Sequence, residues 1–156
     1  MPLAEETAMS DSETDAFLGE METGVLSLAQ EDEPYAIPVS YGYDADDRTF
    51  YLRLVSTPKS EKRAFLESSP RARLVVYDEE GEGETEAYRS VVAVGSLERI
   101  DPSDLSIEQI EQYGRAKRPL FEIWGSSKRD LDIQLFSLEP SEMSGRRAEI
   151  DRDADE

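Results

Sequence analysis

The chain has 156 residues, 36 acidic and 17 basic, for a net charge of −19 at pH 7, and it contains neither cysteine nor histidine. Such a charge excludes nucleic acid and anionic membrane surfaces as partners, since both need a basic face. The two missing residue types exclude disulfides, thiol nucleophiles, Ser-His-Asp triads and histidine-ligated zinc.

A length of 156 residues suits one domain, able to bury about two thirds of the surface its unfolded form exposes. Residues 1–9 read as a flexible leader. Ser10 or Ser12 can cap a short helix whose apolar positions are Ala16, Phe17 and Met21. The period then changes from helical to alternating. "GVLSLA" (24–29) and "PYAIPVSYGYD" (34–44) read as strands joined by the acidic turn "QEDE", and "DADDR" leads into a third, "TFYLRLV" (49–55). Pro38 cannot donate to a ladder, which puts the second strand at an edge or gives it a bulge there.

"EKRAFLES" follows as a helix capped by Ser60 and ended before Pro70. "RARLVVYD" (71–78) is a fourth strand, "EEGEGETE" (79–86) a solvated loop, and "YRSVVAVGSLERI" (88–100) a fifth strand with Gly95 at a bulge. Residues 101–115 carry helix signals, an amphipathic segment runs on to Trp124, and "DIQLFSLEP" (132–140) is a sixth strand before an acidic tail at 148–156. The fold expected is mainly β, a small barrel with peripheral helices. No apolar run reaches the eighteen or so residues of a membrane span, and the acidic start lacks the layout of a signal peptide. A cytoplasmic setting is the expectation. Many carboxylates with only four lysines suit a salt-rich one, because near 1 M salt the Debye length falls to about 3 Å and like charges are screened.

One turn breaks the acidic pattern. "STPKSEKRAFLESS" (56–69) gathers Lys59, Lys62 and Arg63 at a helix start, the end where the macrodipole disfavours cations. An anion bound there resolves the conflict: backbone N–H groups and the Ser60 hydroxyl would hold a phosphate, and the lysines would neutralise it. Arg53, near the end of the preceding strand, can reach the same anion. The plainer account is pairing with the abundant surface carboxylates, but exposed pairs contribute only about 0–1 kcal/mol and give no reason to favour this turn. A Walker motif is absent.

The order of "GVL" at 24, "PYAIPV" at 34, "TFYLRL" at 49, "SEK" at 60, "PRARLVV" at 70, "YRSVVAVGSL" at 88 and "SGR" at 144 resembles the pyridoxamine 5'-phosphate oxidase-like, FMN-binding split-barrel flavoproteins. The resemblance spans roughly residues 12–147 and implies a split-barrel flavin-binding domain over 10–147. It implies that Arg53, Ser60 and Lys62 hold the FMN phosphate, with Leu54 and Lys59 beside them as further cofactor-binding residues. Pro38, Val39 and Ser40 would lie along the isoalloxazine ring, and Ser90 would face the flavin or its phosphate. Family members are homodimers with FMN at the subunit interface, which makes Trp124 a candidate contact from the second subunit; the alternative is a core or interface tryptophan without flavin contact. The tyrosines at 35, 41, 43, 77 and 88 suit strand packing better than ring stacking.

The chain departs from the family in two places. The vitamin B6 oxidases hold their substrate phosphate with a histidine that this chain lacks, so the resemblance does not carry that reaction over. Ser60 stands where a glycine is usual. The function implied is an FMN-dependent oxidoreductase acting on a small-molecule redox substrate, with no side chain marked as a catalytic acid or base. A reductase using the deazaflavin F420 on the same barrel, a non-enzymatic flavin-binding or sensing module, and a cofactor-free interaction domain are the alternatives.

Overall fold

The computed structural model describes residues 8–56, 71–80, 85–115 and 132–151. The expected helix after Ser60, with Lys59 and Lys62, and the segment carrying Trp124 lie outside these residues. Helix α1 (Asp11–Glu20) is followed by β1 (Thr23–Gln30), β2 (Glu33–Asp44), β3 (Thr49–Ser56), β4 (Arg71–Glu80) and β5 (Thr85–Ile100). A 3₁₀ turn (Pro102–Asp104), helix α2 (Ile107–Arg115) and β6 (Asp132–Asp151) complete the described chain. The strands close into an antiparallel barrel in the order β1-β2-β3-β6-β5-β4.

Alternation decides what fills it. Side chains on a strand point to opposite faces with period two. Leu26 and Leu28 of β1, Leu74 and Val76 of β4, Val91 and Ala93 of β5 and Phe136 and Leu138 of β6 accordingly meet in one buried core. Closure between β1 and β4 is short, running from Val25↔Val75 to Ser27↔Arg73. The β1–β2 hairpin turns through Glu31 at φ 56°, with Gln30 facing Glu33.

Three expectations change. The sixth strand does not stop at 140 but continues to Asp151, paired with β5 along that strand's whole length. The irregularity expected at Gly95 is present, but the extra residue sits on the opposite strand: Val94 faces Glu142 and Gly95 faces Pro140. Ser141 is left over, and its hydroxyl donates to the Val94 carbonyl at 3.1 Å. A Cβ on Gly95 would run into the Glu139 carbonyl. In the region 101–115 the helix is two pieces, because Asp101 caps the 3₁₀ turn and Ser106 starts α2 separately.

Helix α1 begins with a reciprocal cap. Ser10 Oγ accepts from the Glu13 N–H at 3.1 Å and the Ser10 N–H donates to Glu13 Oε1 at 3.4 Å. The buried face is Thr14, Phe17 and Leu18, whereas Ala16 is exposed, because the i, i+3, i+4 spacing aligns 14, 17 and 18. Two β2 tyrosines tie the helix to the barrel: the Tyr41 hydroxyl donates to the Leu18 carbonyl at 2.8 Å and the Tyr43 hydroxyl to Asp15 at 2.6 Å. Arg48 closes the cluster, 3.3 Å from Asp15 and 3.6 Å from Asp11. Both tyrosine rings pack on Phe50, with centroids 5.4 and 4.8 Å away, which agrees with packing rather than stacking roles.

Burial first, and then the Asp15 hydrogen bond, raise the Tyr43 pKa from 10.0 to about 12. Burial also pushes Tyr41 upward. Between about pH 10 and 12 the unfolded chain loses the Tyr43 proton while the folded chain keeps it, so stability present below pH 10 falls across that window. The expected result is a urea midpoint that drops over this range, with a shallower drop in Tyr43→Phe and a residual slope from Tyr41.

Candidate functional site

The site begins where a ladder ends. β2 and β3 pair from Asp44↔Thr49 to Tyr41↔Leu52, and among the described residues the pairing stops there. β2 continues along β1 through Val39↔Gly24 and Pro38↔Val25, while β3 continues along β6 through Arg53↔Leu135 and Leu54↔Gln134. The two strands therefore part, and Pro38, Val39 and Ser40 stand on one lip with Arg53 and Leu54 on the other. Pro38 belongs there for a backbone reason. The Tyr41 N–H donates to Glu22 on the β1 side at 3.0 Å, so alternation turns position 38 to the opposite, unpartnered edge, where a missing N–H breaks no ladder bond. The strand is an edge at this point, and its register with β1 is unbroken, so there is no bulge.

Alternation also sorts the five residues. Val39 and Leu54 are 3% and 1% exposed and belong to the barrel core; only their backbone lies at the lip. Ser40 and Arg53 turn to the outer face, each one step beyond the last paired residues. Ser40 is buried and Arg53 half-buried. In a chain with so many carboxylates, none of the ion pairs among the described residues involves Arg53. A half-buried guanidinium with five donors and no described carboxylate is suited to an anionic ligand.

Helix α2 walls off the far end of this face. Its start is a second reciprocal cap: Ser106 Oγ accepts from the Gln109 N–H at 3.1 Å and the Ser106 N–H donates to Gln109 Oε1 at 2.9 Å. The helix lies against Gly42, where a Cβ would meet the Gln112 carbonyl carbon and Oε1 at 2.9 Å each. Gly42 faces Tyr51 across the ladder, and Tyr51 hydrogen-bonds Gln109, while burial raises its pKa. Gln112 Oε1 is buried and has no hydrogen-bond partner, a condition that costs about 1–3 kcal/mol if left so. The other face of α2 exposes Ile107 (78%) and Ile110 (55%).

Not every expected residue joins this group. Ser90 lies on β5, between Tyr77 of β4 and Arg146 of β6, on a different wall of the barrel from β2 and β3. It lines a separate cavity of about 210 Å³ with Tyr77, Tyr88 and Arg146. Two of the motifs, "YRSVVAVG" and "SGR", thus meet each other rather than the β2–β3 lips. Gln109 and Gln112 were not anticipated from the sequence, although "SIEQ" at 106–109 is a capping box and a glycine inside a strand signals close backbone approach. No group of three or more acidic side chains among the described residues is placed to hold a metal ion, and no described helix is long and apolar enough to cross a membrane.

A profile described as pyridoxamine 5'-phosphate oxidase matches residues 10–147. The chain belongs to the pyridoxamine 5'-phosphate oxidase family. Its fold is the split barrel of solved relatives. An FAD-binding protein from Mesorhizobium loti is 23% identical with a TM-score of 0.67, over 90% of this chain and 96% of that one. An FAD-binding protein from Mycobacterium smegmatis is 14% identical with a TM-score of 0.61, over 91% and 99%. An FAD- and haem-binding protein from Mycobacterium smegmatis is 18% identical with a TM-score of 0.64, over 91% and 73%. A sequence search of curated proteins finds no match.

The contact between α2 and β2 depends on the missing side chain at Gly42. Gly42→Val should force α2 from the strand and lower the unfolding free energy by about 1–3 kcal/mol, read from urea titrations. Gly19→Ala is the control, since its Cβ meets nothing within 4 Å, and in a helix it should stabilise by about 0.5–1 kcal/mol.

Proposed function

We propose that this member of the pyridoxamine 5'-phosphate oxidase family is an FMN-binding oxidoreductase whose flavin lies on the outer face of the parted β2 and β3 strands. The observation that carries the reading is Arg53: a half-buried cation without a described carboxylate partner, at the lip of an interrupted ladder, and six residues before the cationic turn at Lys59, Ser60 and Lys62. A phosphate needs that concentration of positive charge, and nothing else about so acidic a chain favours it. Pro38, which has no N–H, and its same-face neighbour Ser40 provide a floor on which a planar ring can lie. The FAD-binding descriptions of the similar structures support a flavin. F420 fits less well, because its polyglutamyl tail would meet an acidic surface.

Bound flavin supplies hydride and electron transfer, so the absence of histidine from the chain is no obstacle. The chain's own residues bind the phosphate, seat the ring and leave one ring face to a small-molecule substrate. A homodimer completes the reading. Ser90 and Arg146 sit on a different barrel wall from the lips, so they can reach a flavin there only from a second copy. Trp124 is assigned to that second copy as well. The exposed Ile107 and Ile110 beside the site supply apolar surface for such a contact.

Protein purified in molar salt should show a flavin absorption spectrum and release FMN by mass; FAD or F420 in its place would correct the cofactor, and a protein that takes up none of them overturns the reading. Arg53→Ala and Lys62→Ala should each weaken FMN binding by about tenfold or more at fixed salt, and unchanged affinity in both moves the phosphate elsewhere. Light scattering in molar salt should give twice the chain mass, and a monomer with full flavin affinity would remove Ser90, Arg146 and Trp124 from the site.

A further inference from the structure

We infer that the side-chain amide of Gln112 reads the imide edge of the isoalloxazine ring, making it the residue that sets which way the ring lies. This inference rests on the flavin reading and adds to it a group that neither the motifs nor the family match assigns.

Three positions on β2 define the outer floor. Pro38, Ser40 and Gly42 share one face by alternation, and the stretch from 38 to 42 is about 13 Å of strand, long enough to carry a three-ring system. At the Gly42 end the floor stops, because α2 comes down on the glycine so closely that no Cβ fits. A ring lying along β2 therefore abuts α2 with one edge. The polar group waiting there is the Gln112 amide, with Oε1 directly over Gly42 and without a hydrogen-bond partner. The neighbouring polar groups are already engaged: Gln109 bonds Tyr51 and also caps the helix through Ser106. Among the described residues, Gln112 Oε1 is the buried side-chain atom left without a partner at this point.

The chemistry of the ring edges selects between the two ends. The dimethylbenzene end of a flavin has nothing to offer a buried amide. The pyrimidine end presents carbonyl, N–H and carbonyl in a row, the complement of a primary amide. Gln112 Oε1 accepts from ring N3–H, and its NH₂ group donates to an adjacent ring carbonyl. Because N3–H lies between two ring carbonyls, the NH₂ group can donate to either of them while Oε1 accepts from N3–H. The opposite end of the floor, toward Pro38, is then left for the benzenoid edge. The same imide edge occurs in FMN, FAD and deazaflavins, so the assignment does not depend on which of them is bound.

The test uses FMN and its N3-methyl derivative, titrated by absorbance and fluorescence into the full-length protein in molar salt. Wild type should bind FMN about three- to tenfold more tightly than the methylated compound, the span expected for one buried hydrogen bond. Gln112→Leu, and the volume-conserving Gln112→Met should the first fold poorly, should bind the two compounds within about twofold of each other. The inference is overturned if wild type does not discriminate, or if either folded variant discriminates as wild type does. Failure of wild type to bind FMN, FAD or F420 at all would instead overturn the flavin reading beneath it.

Discussion

The constraint on which this molecule depends is backbone satisfaction around a closed barrel. Every strand needs a partner on both edges or a reason to lack one, and the six strands differ greatly in length, from eight residues in β1 and β3 to 20 in β6. Long strands must outrun short ones somewhere. On one side the excess of β5 and β6 is used in pairing with each other through Asp151. On the other side β2 and β3 each keep one partner and give up each other after Tyr41↔Leu52. The opening between them is a consequence of how the rest of the barrel is paired, and Pro38 makes it permanent by removing a donor that any competing strand would need.

The core holds this arrangement open. Val39 and Leu54, one on each lip, are anchored inward among the residues of the barrel, so both lips are supported from beneath even though the strands no longer bond one another. Their outward neighbours, Ser40 and Arg53, inherit fixed positions from that packing. A site on strands supported from beneath needs little reorganisation to meet a planar ligand, which is the structural form of preorganisation. Helix α2 adds a wall at the far end, placed by the close approach at Gly42 and by the Gln109–Tyr51 hydrogen bond.

Electrostatics works against the same background. A chain at −19 repels anions at long range, so any anion site must be local and partly shielded. Arg89 and Arg147 are committed to carboxylates and to α1, Arg89 also lying 4.7 Å from the Phe17 ring centroid. Arg48 is committed likewise, to Asp11 and Asp15. These arginines lock the helix onto the barrel. Arg53 is outside all of the described ion pairs and, unlike the exposed Arg73 and Arg99, is half-buried at the lip of an interrupted ladder.

The strands, the hairpin at 30–33 and a serine cap at 10 or 12 were legible in the sequence, because period-two alternation and local turn and capping chemistry act over a few residues, and the structure places the cap at Ser10. The resemblance carried by ordered short motifs led to the right family, and Pro38, Ser40 and Arg53 stand on the two lips of the parted strands. What tertiary structure alone decided was which partners each strand kept. It turned an edge-or-bulge alternative at Pro38 into an edge, moved the bulge from Gly95 to Ser141, and extended β6 past its apolar stretch because β5 was there to pair with it. It also separated Ser90 from the lips and joined it to Arg146. Above all it brought Gln112 over Gly42, seventy residues away in sequence. No local pattern encodes that meeting, since it depends on the close packing of a helix against a strand through the one β2 residue that has no side chain.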